Sequence, residues 1–148
     1  IDRGDPLWVL GRLVQEDFCL LEKTGDEHVL TGAVLCFPAS WMLAEKFMRP
    51  LVAIHEPVGS YDDNIAKRVQ RLFNGVKPAR PLWRYNVLHY VDPSLHQPRP
   101  EVAPRSRSDG PDFGYIRSER QCVLRLPKTD AVVFSIHTYV LKDSDVQL

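Results

Sequence analysis

The sequence predicts one α+β domain, in which an antiparallel sheet is accompanied by short helices. Three features predict this class. Apolar and polar residues alternate over residues 115–140 on both sides of a turn, which indicates a long antiparallel hairpin. An amphipathic helical repeat lies over residues 62–75, and two shorter strand-like runs precede it. Strands grouped on either side of a helix, without regular strand–helix alternation, are typical of α+β domains.

The N-terminal part contains a predicted helix followed by a predicted hairpin. Residues 7–13 are apolar and have a helical tendency. Residues 18–21 and 28–37 are strand-like runs, and a turn containing Gly25 separates them. Because both runs are apolar and the turn is short, we expect them to pair as a β-hairpin.

Two helices are predicted in the middle of the chain. The Ser40 hydroxyl is expected to cap a short helix over residues 41–48, which Pro50 ends. Residues 50–61 then form a predicted connection rich in Pro and Gly. The helix over residues 62–75 is the clearest one, because apolar side chains recur in it at helical spacing. Those side chains are Ile65, Val69, Leu72 and Phe73.

The second half of the chain is predicted to be mostly strand. Leu82–Tyr90 is rich in aromatic and β-branched residues and should be a strand. Residues 91–113 are rich in Pro, Ser and Arg, so we expect an exposed proline-rich loop. We expect residues 1–148 as a whole to form a single domain.

The strand predicted over residues 115–126 has two different faces. Arg117 and Glu119 share one face with Gln121, and Arg120 lies on the other face with Ser118. We expect the Arg117 face to be solvated. Arg120 should then be half buried and should need an anionic partner, because an unpaired buried charge is costly.

Charge and cysteine content restrict the possible functions. Lys plus Arg and Asp plus Glu both number 19, so no net field attracts nucleic acid or an anionic membrane. No run approaches the roughly 18 apolar residues of a membrane span, and the first residues do not resemble a signal peptide, so we expect a cytoplasmic protein. Ile1 is not an initiator Met, so the chain can be a piece of a longer one. Cys19, Cys36 and Cys122 are interpreted as buried free thiols.

The familiar nucleotide and zinc motifs are absent from the sequence. There is no phosphate-binding Gly-rich loop, dinucleotide fingerprint, Gly-x-Ser-x-Gly elbow, HExxH or CxxC. Among the histidines, His55 is either structural or a ligand of a metal or haem iron, and the residues alone favour the structural role. We expect His28, His89 and His96 to be solvated. His137 is expected to face solvent or a polar pocket.

Several short segments occur in an order that resembles one protein family. They are VQEDFCLL at residues 14–21, CFPASW at 36–41, Glu45-Lys46, Arg49-Pro50-Leu51, IHEPV at 54–58, Asn86, Asp92-Pro93, Glu119-Arg120-Gln121 and LRLPKT at 124–129. This order resembles the haem-dependent oxidative N-demethylase-like proteins. The resemblance covers roughly residues 14–140.

The resemblance implies a PAS-like fold, in which an antiparallel sheet and short helices enclose haem b. It also implies O2-dependent demethylation of a small secondary amine, with electrons supplied by a flavin and iron–sulfur reductase partner. The family's Ile-His-x-Pro-Val segment falls on His55, which becomes the expected axial iron ligand. Glu119 and Arg120 become the expected catalytic residues. Arg84 or Arg120 is expected to pair with the haem propionates, because a guanidinium matches a carboxylate.

Two other functions stay open beside this one. The first is a non-catalytic PAS-like haem sensor or interaction module, and the second is a structural descendant with an empty pocket. The chain departs from the family pattern at Gly59-Ser60, where a further Pro is usual, and at Val87, where an aromatic is usual. These departures leave the substrate unspecified. Glu119 and Arg120 also point to opposite faces of a regular strand, so only one can line a pocket unless a bulge intervenes.

Overall fold

The computed structural model describes residues 4–55, 63–103 and 114–146, and it confirms the α+β class. Its five strands form one antiparallel sheet in the order β2-β1-β5-β4-β3. In chain order the elements are α1 (Pro6–Leu13), β1 (Asp17–Thr24), β2 (Glu27–Val34), α2 (Leu43–Lys46), α3 (Leu51–His55), α4 (Asp63–Gly75), β3 (Leu82–Tyr90), β4 (Tyr115–Arg125), β5 (Val132–Lys142) and a 3-10 turn (Asp143–Asp145).

The last strand in sequence lies at the centre of the sheet. β5 pairs with β1 on one side, where Cys19 lies opposite Phe134, and with β4 on the other. It therefore joins the N-terminal hairpin to the C-terminal one. β3 lies at one edge of the sheet and pairs with β4. At the opposite edge, Val29 of β2 makes an isolated bridge with Pro50.

One face of the sheet carries the hydrophobic core, and we call it the core face. Side chains from four strands meet there with side chains from α3 and from the end of α4, which cover them. The buried members of this cluster are Cys19, Leu21, Leu30, Leu51, Phe73, Val76, Val123 and Val132. Because strand side chains alternate, the residues between them point to the opposite face, which we call the outer face.

Helix α1 packs on the outer face against β1 and β2. Asp5 accepts a hydrogen bond from Trp8 N at 3.1 Å and so caps the helix, and Pro6 occupies its first turn. Gly11 faces the sheet so closely that a Cβ there would lie 2.6 Å from Val34 Cγ2. The close approach of helix to sheet therefore depends on a missing side chain.

The pairing of β1 with β2 contains an irregularity. Leu20 lies opposite Gly32 but Leu21 lies opposite Leu30, so Thr31 is an extra residue in β2. Such a β-bulge lets residues on both sides of it keep the same face. Leu30 and Ala33 accordingly both contact the core, although they are three residues apart.

The predicted helix over residues 41–48 and its Ser40 cap are wrong in detail. The helix is only α2, its N-cap is Met42, and Ser40 has a positive φ of 64°. The predicted connection after Pro50 instead begins with α3. A helix this short has little intrinsic stability, and it forms here because Leu51 and Ile54 pack into the core.

His28 was predicted to be solvated, and the structure shows that it is buried. Its side chain lies on the core face with Leu30 and is 1% exposed. Its Nδ1 atom lies 3.0 Å from Gln70 Oε1 on α4, and its ring lies against Phe73. The neighbouring turn suggested exposure, but strand alternation with Leu30 places the imidazole inside.

The free state predicted for the cysteine thiols is confirmed. Cys19 is buried, whereas Cys36 and Cys122 are half-buried. Burial raises the pKa of the Cys19 thiol to about 12. In the described ranges, no helix combines the length and the apolar character that crossing a membrane requires.

Residues 91–103 form a loop with mostly exposed side chains. Gln97 fastens this loop to the segment after β2: its N–H donates to Pro38 O, and its carbonyl accepts from Ser40 N, both at 2.9 Å. The rest of the loop predicted over residues 91–113, from residue 104 onward, lies outside the described residues.

Candidate functional site

A row of polar side chains lies on the core face of β4. Arg117, Glu119 and Gln121 are 2%, 7% and 9% exposed, so the prediction of a solvated face is wrong. Glu119 lies opposite Thr138 and Gln121 opposite Ile136, both of them buried residues of β5. The alternation of side chains along the sequence shows which residues share a face of β4, but it does not show which face is buried. The pairing with buried residues of β5 identifies the Arg117 face as the buried one.

The three side chains form one hydrogen-bonded chain that continues onto β3, and we call it the polar row. Arg117 Nε donates to Glu119 Oε1 at 3.3 Å, and Gln121 Nε2 donates to Glu119 Oε2 at 3.2 Å. Arg84 Nε then donates to Gln121 Oε1 at 2.9 Å. Both carboxylate oxygens of Glu119 therefore accept hydrogen bonds.

Arg117 anchors the polar row to two loops. Its guanidinium donates to Phe37 O at 2.7 Å and to Leu95 O at 3.0 Å, and it lies 5.6 Å from the centre of the Tyr90 ring. With Glu119 as its counter-ion, the buried charge is compensated. The row is thus held rigidly at its Arg117 end.

Asp17 is a second buried charge at the same end of the sheet. Its Oδ1 accepts hydrogen bonds from Cys36 N at 2.6 Å and from Phe37 N at 2.9 Å. Burial raises the pKa of Asp17 above its usual value, although these hydrogen bonds and the nearby Arg117 act in the opposite direction. Asp17 fixes the chain where it leaves β2.

The part of the core face that β3 forms is more open. Leu82 and Leu88 share the core face of β3 with Arg84 and Asn86, because these residues alternate. Leu82 is 45% exposed and Leu88 is 41% exposed. This half of the core face thus combines accessible apolar surface with an exposed guanidinium.

His55 lies at the C-terminal end of α3, within electrostatic range of Arg84. Its Nδ1 lies 2.8 Å from Leu51 O, and since a carbonyl can only accept, Nδ1 carries the proton and Nε2 the lone pair. Burial lowers the pKa of His55, and the positive charges of Lys46 and Arg84 lower it further. A neutral imidazole oriented through Nδ1 is the form that binds iron.

The donor set here fits haem. His55 supplies a neutral imidazole, Arg84 supplies positive charge for a propionate, and Leu82 and Leu88 supply apolar surface. Among the residues that the structure describes, no group of three or more His, Cys, Asp and Glu side chains is placed to hold a metal ion.

Arg120 lies apart from the other predicted site residues. It is on the outer face, where its Nη2 donates to Glu16 Oε1 at 3.0 Å and its side chain is 40% exposed. His137 Nδ1 is 3.8 Å from the same carboxylate oxygen. The anionic partner of Arg120 is therefore Glu16, and a haem propionate is not needed for this role. The structure brings His55, Arg84 and Glu119 to one face, and the sheet separates Arg120 from them.

Sequence reasoning did not single out two features of this region. The first is that Asp17 and Arg117 both form hydrogen bonds with the backbone of Phe37, in the loop beside the polar row. The second is that Lys46 lies close enough to His55 to lower its pKa. Asp17 and Lys46 both fall in segments that carry the family resemblance. For Arg117, the only signal was its position two residues before Glu119 on the same face.

Comparison with known families agrees with the pattern of residues. Residues 2–147 match the family model described as haem-dependent oxidative N-demethylase, alpha subunit-like. The matched region includes every residue of the polar row and the whole described sheet.

Proposed function

The chain belongs to the haem-dependent oxidative N-demethylase alpha subunit-like family, and from this premise we propose that it demethylates a small secondary amine with O2. The single observation that supports this most is the neutral, Nδ1-oriented His55 imidazole within electrostatic range of Arg84. The proposal includes a PAS-like domain over residues 1–148, with haem b bound at the core face.

The side chains have distinct roles in this proposal. Nε2 of His55 binds the iron, and the hydrogen bond from its Nδ1 to Leu51 O keeps the ring in one orientation. The Arg84 guanidinium pairs with a propionate, while its Nε remains hydrogen-bonded to Gln121. Haem supplies the oxygen chemistry, which no amino-acid side chain provides.

Glu119 is proposed to bind the protonated amine. A carboxylate has about four lone-pair sites, so it can accept from an ammonium in addition to its bonds from Arg117 and Gln121. Arg117 and Gln121 hold the carboxylate in place. The predicted catalytic role of Arg120 stays a separate proposal, which an Arg120→Met variant tests against Glu119→Gln in the same assay.

The iron ligand is tested with an absorption spectrum. Protein produced with a haem precursor should show a Soret band, and the band should be lost or shifted in His55→Ala. The matched control is His89→Ala, which removes an exposed histidine of β3. Equal spectra for His55→Ala and His89→Ala would refute the assignment.

Turnover is tested by release of formaldehyde from dimethylamine in the presence of an electron donor. Glu119→Gln should raise the KM for the amine by roughly tenfold or more, because a hydrogen bond to a charged group is weakened. The haem spectrum of this variant should stay close to that of the parent protein. Formaldehyde release that is insensitive to Glu119→Gln would contradict the role of this carboxylate.

A non-catalytic PAS-like haem sensor is the second candidate, and one observation favours it. Glu119 is 7% exposed and its charge is compensated by Arg117, which leaves a less reactive pocket. A protein that binds haem and O2 but releases no formaldehyde from any methylated amine would be such a sensor.

The partners and location of the protein follow from the same premise. Electrons are proposed to come from a flavin and iron–sulfur reductase partner, as the family resemblance implies. We also propose a cytoplasmic location, because Cys19, Cys36 and Cys122 are free thiols, as is usual in a reducing compartment.

A further inference from the structure

Two basic side chains bind the C-terminal end of the helix that carries His55. The last carbonyls of a helix have no partner within the helix. Lys46 Nζ donates to Ile54 O at 2.8 Å, and Arg49 Nη2 donates to Ala53 O at 2.9 Å. Both carbonyls belong to the two residues immediately before His55.

Glu101 completes this arrangement from the loop after β3. Its Oε1 accepts from Lys46 Nζ at 3.0 Å and lies 3.5 Å from Arg49 Nη1. Its backbone N–H donates to both carboxylate oxygens of Glu45, at 3.1 Å each. We call Lys46, Arg49 and Glu101 the α3 clasp. The Lys46 side chain is 12% exposed, so its two bonds form in a largely dry environment.

The clasp fixes the orientation of α3, which its apolar contacts alone do not determine. A helix of five residues is too short to be stable alone, so contacts with the rest of the protein must fix it. Leu51 and Ile54 bury apolar surface, but such burial has no preferred direction. Hydrogen bonds are directional, and those from Lys46 and Arg49 fix the orientation of the peptide groups next to His55.

We propose that Lys46 and Arg49, neutralised by Glu101, are positioning residues that set the orientation of the His55 imidazole. This inference rests on the proposed function, in which His55 binds haem iron. It also links the loop of Glu101 to the iron ligand, because movement of that loop would release both basic side chains from α3.

The test compares Lys46→Met in two backgrounds. In holo-protein with His55, Lys46→Met should change the spectrum to a mixture of ligation states and weaken haem binding about tenfold, as expected for losing one hydrogen bond from a charged donor. In His55→Gly protein supplied with free imidazole, the ligand is no longer attached to α3. Lys46→Met should then have no further effect. Lys128→Met, which removes an exposed lysine, is the matched control in both backgrounds.

The two backgrounds also separate positioning from direct contact with haem. If Lys46 bound a propionate itself, Lys46→Met would weaken haem binding equally with His55 and with free imidazole, and this result would overturn the clasp. Identical spectra for Lys46→Met and Lys128→Met in the His55 background would overturn it too. Lys46→Arg keeps the donors and should restore most of the parent spectrum.

Glu101→Gln provides a milder variant in case Lys46→Met fails to fold. It removes the negative charge but keeps an acceptor, so it should loosen α3 without emptying the site. Amide hydrogen exchange of residues 51–55 in haem-free protein should become faster in Glu101→Gln and stay unchanged in Lys128→Met. Equal exchange in both would contradict the clasp.

Failure of the proposed function would have a different signature. If His55→Gly without imidazole keeps the parent spectrum, the ligand assignment itself is wrong. If His55→Gly loses the spectrum but Lys46→Met, Glu101→Gln and Lys128→Met all behave like the parent, the clasp alone is wrong.

Discussion

At the scale of single residues, the protein depends on charges buried at one end of the sheet. Arg117 is paired with Glu119 and bonded to two loop carbonyls, so its charge is compensated on several sides. Asp17 is 1% exposed and holds two backbone N–H groups. A buried hydrogen-bonded carboxylate and a buried guanidinium make this corner rigid, but they also make it sensitive to pH.

Stability should decrease with rising pH because of Asp17. Its pKa is higher in the folded state than in the unfolded chain, so folding favours the protonated form. The free energy of unfolding therefore falls as pH rises from the unfolded pKa of about 3.9 through the folded pKa, by up to about 1.4 kcal/mol per unit of pKa difference. Urea unfolding between pH 4 and pH 7 measures this fall.

Asp17→Asn isolates the effect of this one group. The amide oxygen can still accept from Cys36 N and Phe37 N, but it does not titrate. The stability of Asp17→Asn relative to the parent should increase with pH. Asp26→Asn, in an exposed turn, should show no such trend. A pH-independent difference for Asp17→Asn would contradict the raised pKa.

At the scale of elements, α1, α3 and α4 each depend on a close contact with the sheet or with a loop. α3 depends on the clasp, and α4 ends where Arg125 of β4 donates to Phe73 O and Val76 O at 2.6 Å each. α1 depends instead on the absence of a side chain at Gly11. Specific residues therefore place these three helices, in addition to general apolar burial.

Gly11→Ala should destabilise the protein although alanine is the better helix former. Alanine would gain about 1 kcal/mol of helix propensity. Its Cβ, however, would meet Val34 Cγ2 at 2.6 Å, and overpacking of this kind costs about 1–3 kcal/mol. Val34 is β-branched and so cannot easily rotate away. Thermal or urea unfolding measures the net loss.

Two further variants make this prediction specific. Val34→Ala removes the obstructing methyl group. The loss of unfolding free energy in the double variant Gly11→Ala/Val34→Ala should therefore be smaller than the sum of the losses in the two single variants. Gly75→Ala, at the end of α4, has no atom within 4 Å of the added Cβ and should not destabilise the protein. Additivity of the Gly11 and Val34 effects would argue against the steric explanation.

Sequence patterns predicted some elements well and left others open for identifiable reasons. Leu82–Tyr90 was predicted with its observed bounds, because aromatic and β-branched residues are dense there. α3 was missed because five residues are too few to show helical periodicity. The inner face of β4 was assigned wrongly because Arg117, Glu119 and Gln121 look more polar than the outer face does. The buried row is the one on the face that α3 and the end of α4 cover, and those helices come from a distant part of the chain.

The candidate site was predictable only in part. His55, Arg84 and Glu119 came from the family resemblance, and the structure places them on one face. Strand alternation predicted that Glu119 and Arg120 lie on opposite faces of the sheet. It could not predict which of the two faces carries the site. The contacts of Lys46, Arg49 and Glu101 join segments about 50 residues apart, and no local pattern encodes them.

At the scale of the whole molecule, β5 holds the two halves of the sheet together. It pairs with β4 along its whole length and with β1 over residues 132–136, whereas β3 has its pairing with β4 alone among the described strands. Residues 17–21 and 132–136 are thus paired although more than 100 positions separate them. The sheet is completed only when both ends of the domain come together.

Amide hydrogen exchange should reveal this order directly. Amides of β5 and β1 should exchange most slowly, because their opening requires global unfolding. Amides of β3, an edge strand, should exchange faster than those of β5 and β1. Protection of β3 equal to that of β5 would mean that its outer edge is paired in solution, which the sheet order does not predict.

The bulge at Thr31 determines how β2 can change in length. If Thr31 were deleted, Leu30 and Gly32 would follow each other in ordinary alternation, opposite Leu21 and Leu20. Every remaining side chain of the strand would keep its face. A deletion elsewhere in β2 would invert the residues beyond it and turn core side chains toward solvent. Insertions and deletions among relatives should therefore accumulate at this one position and be rare in the rest of the strand.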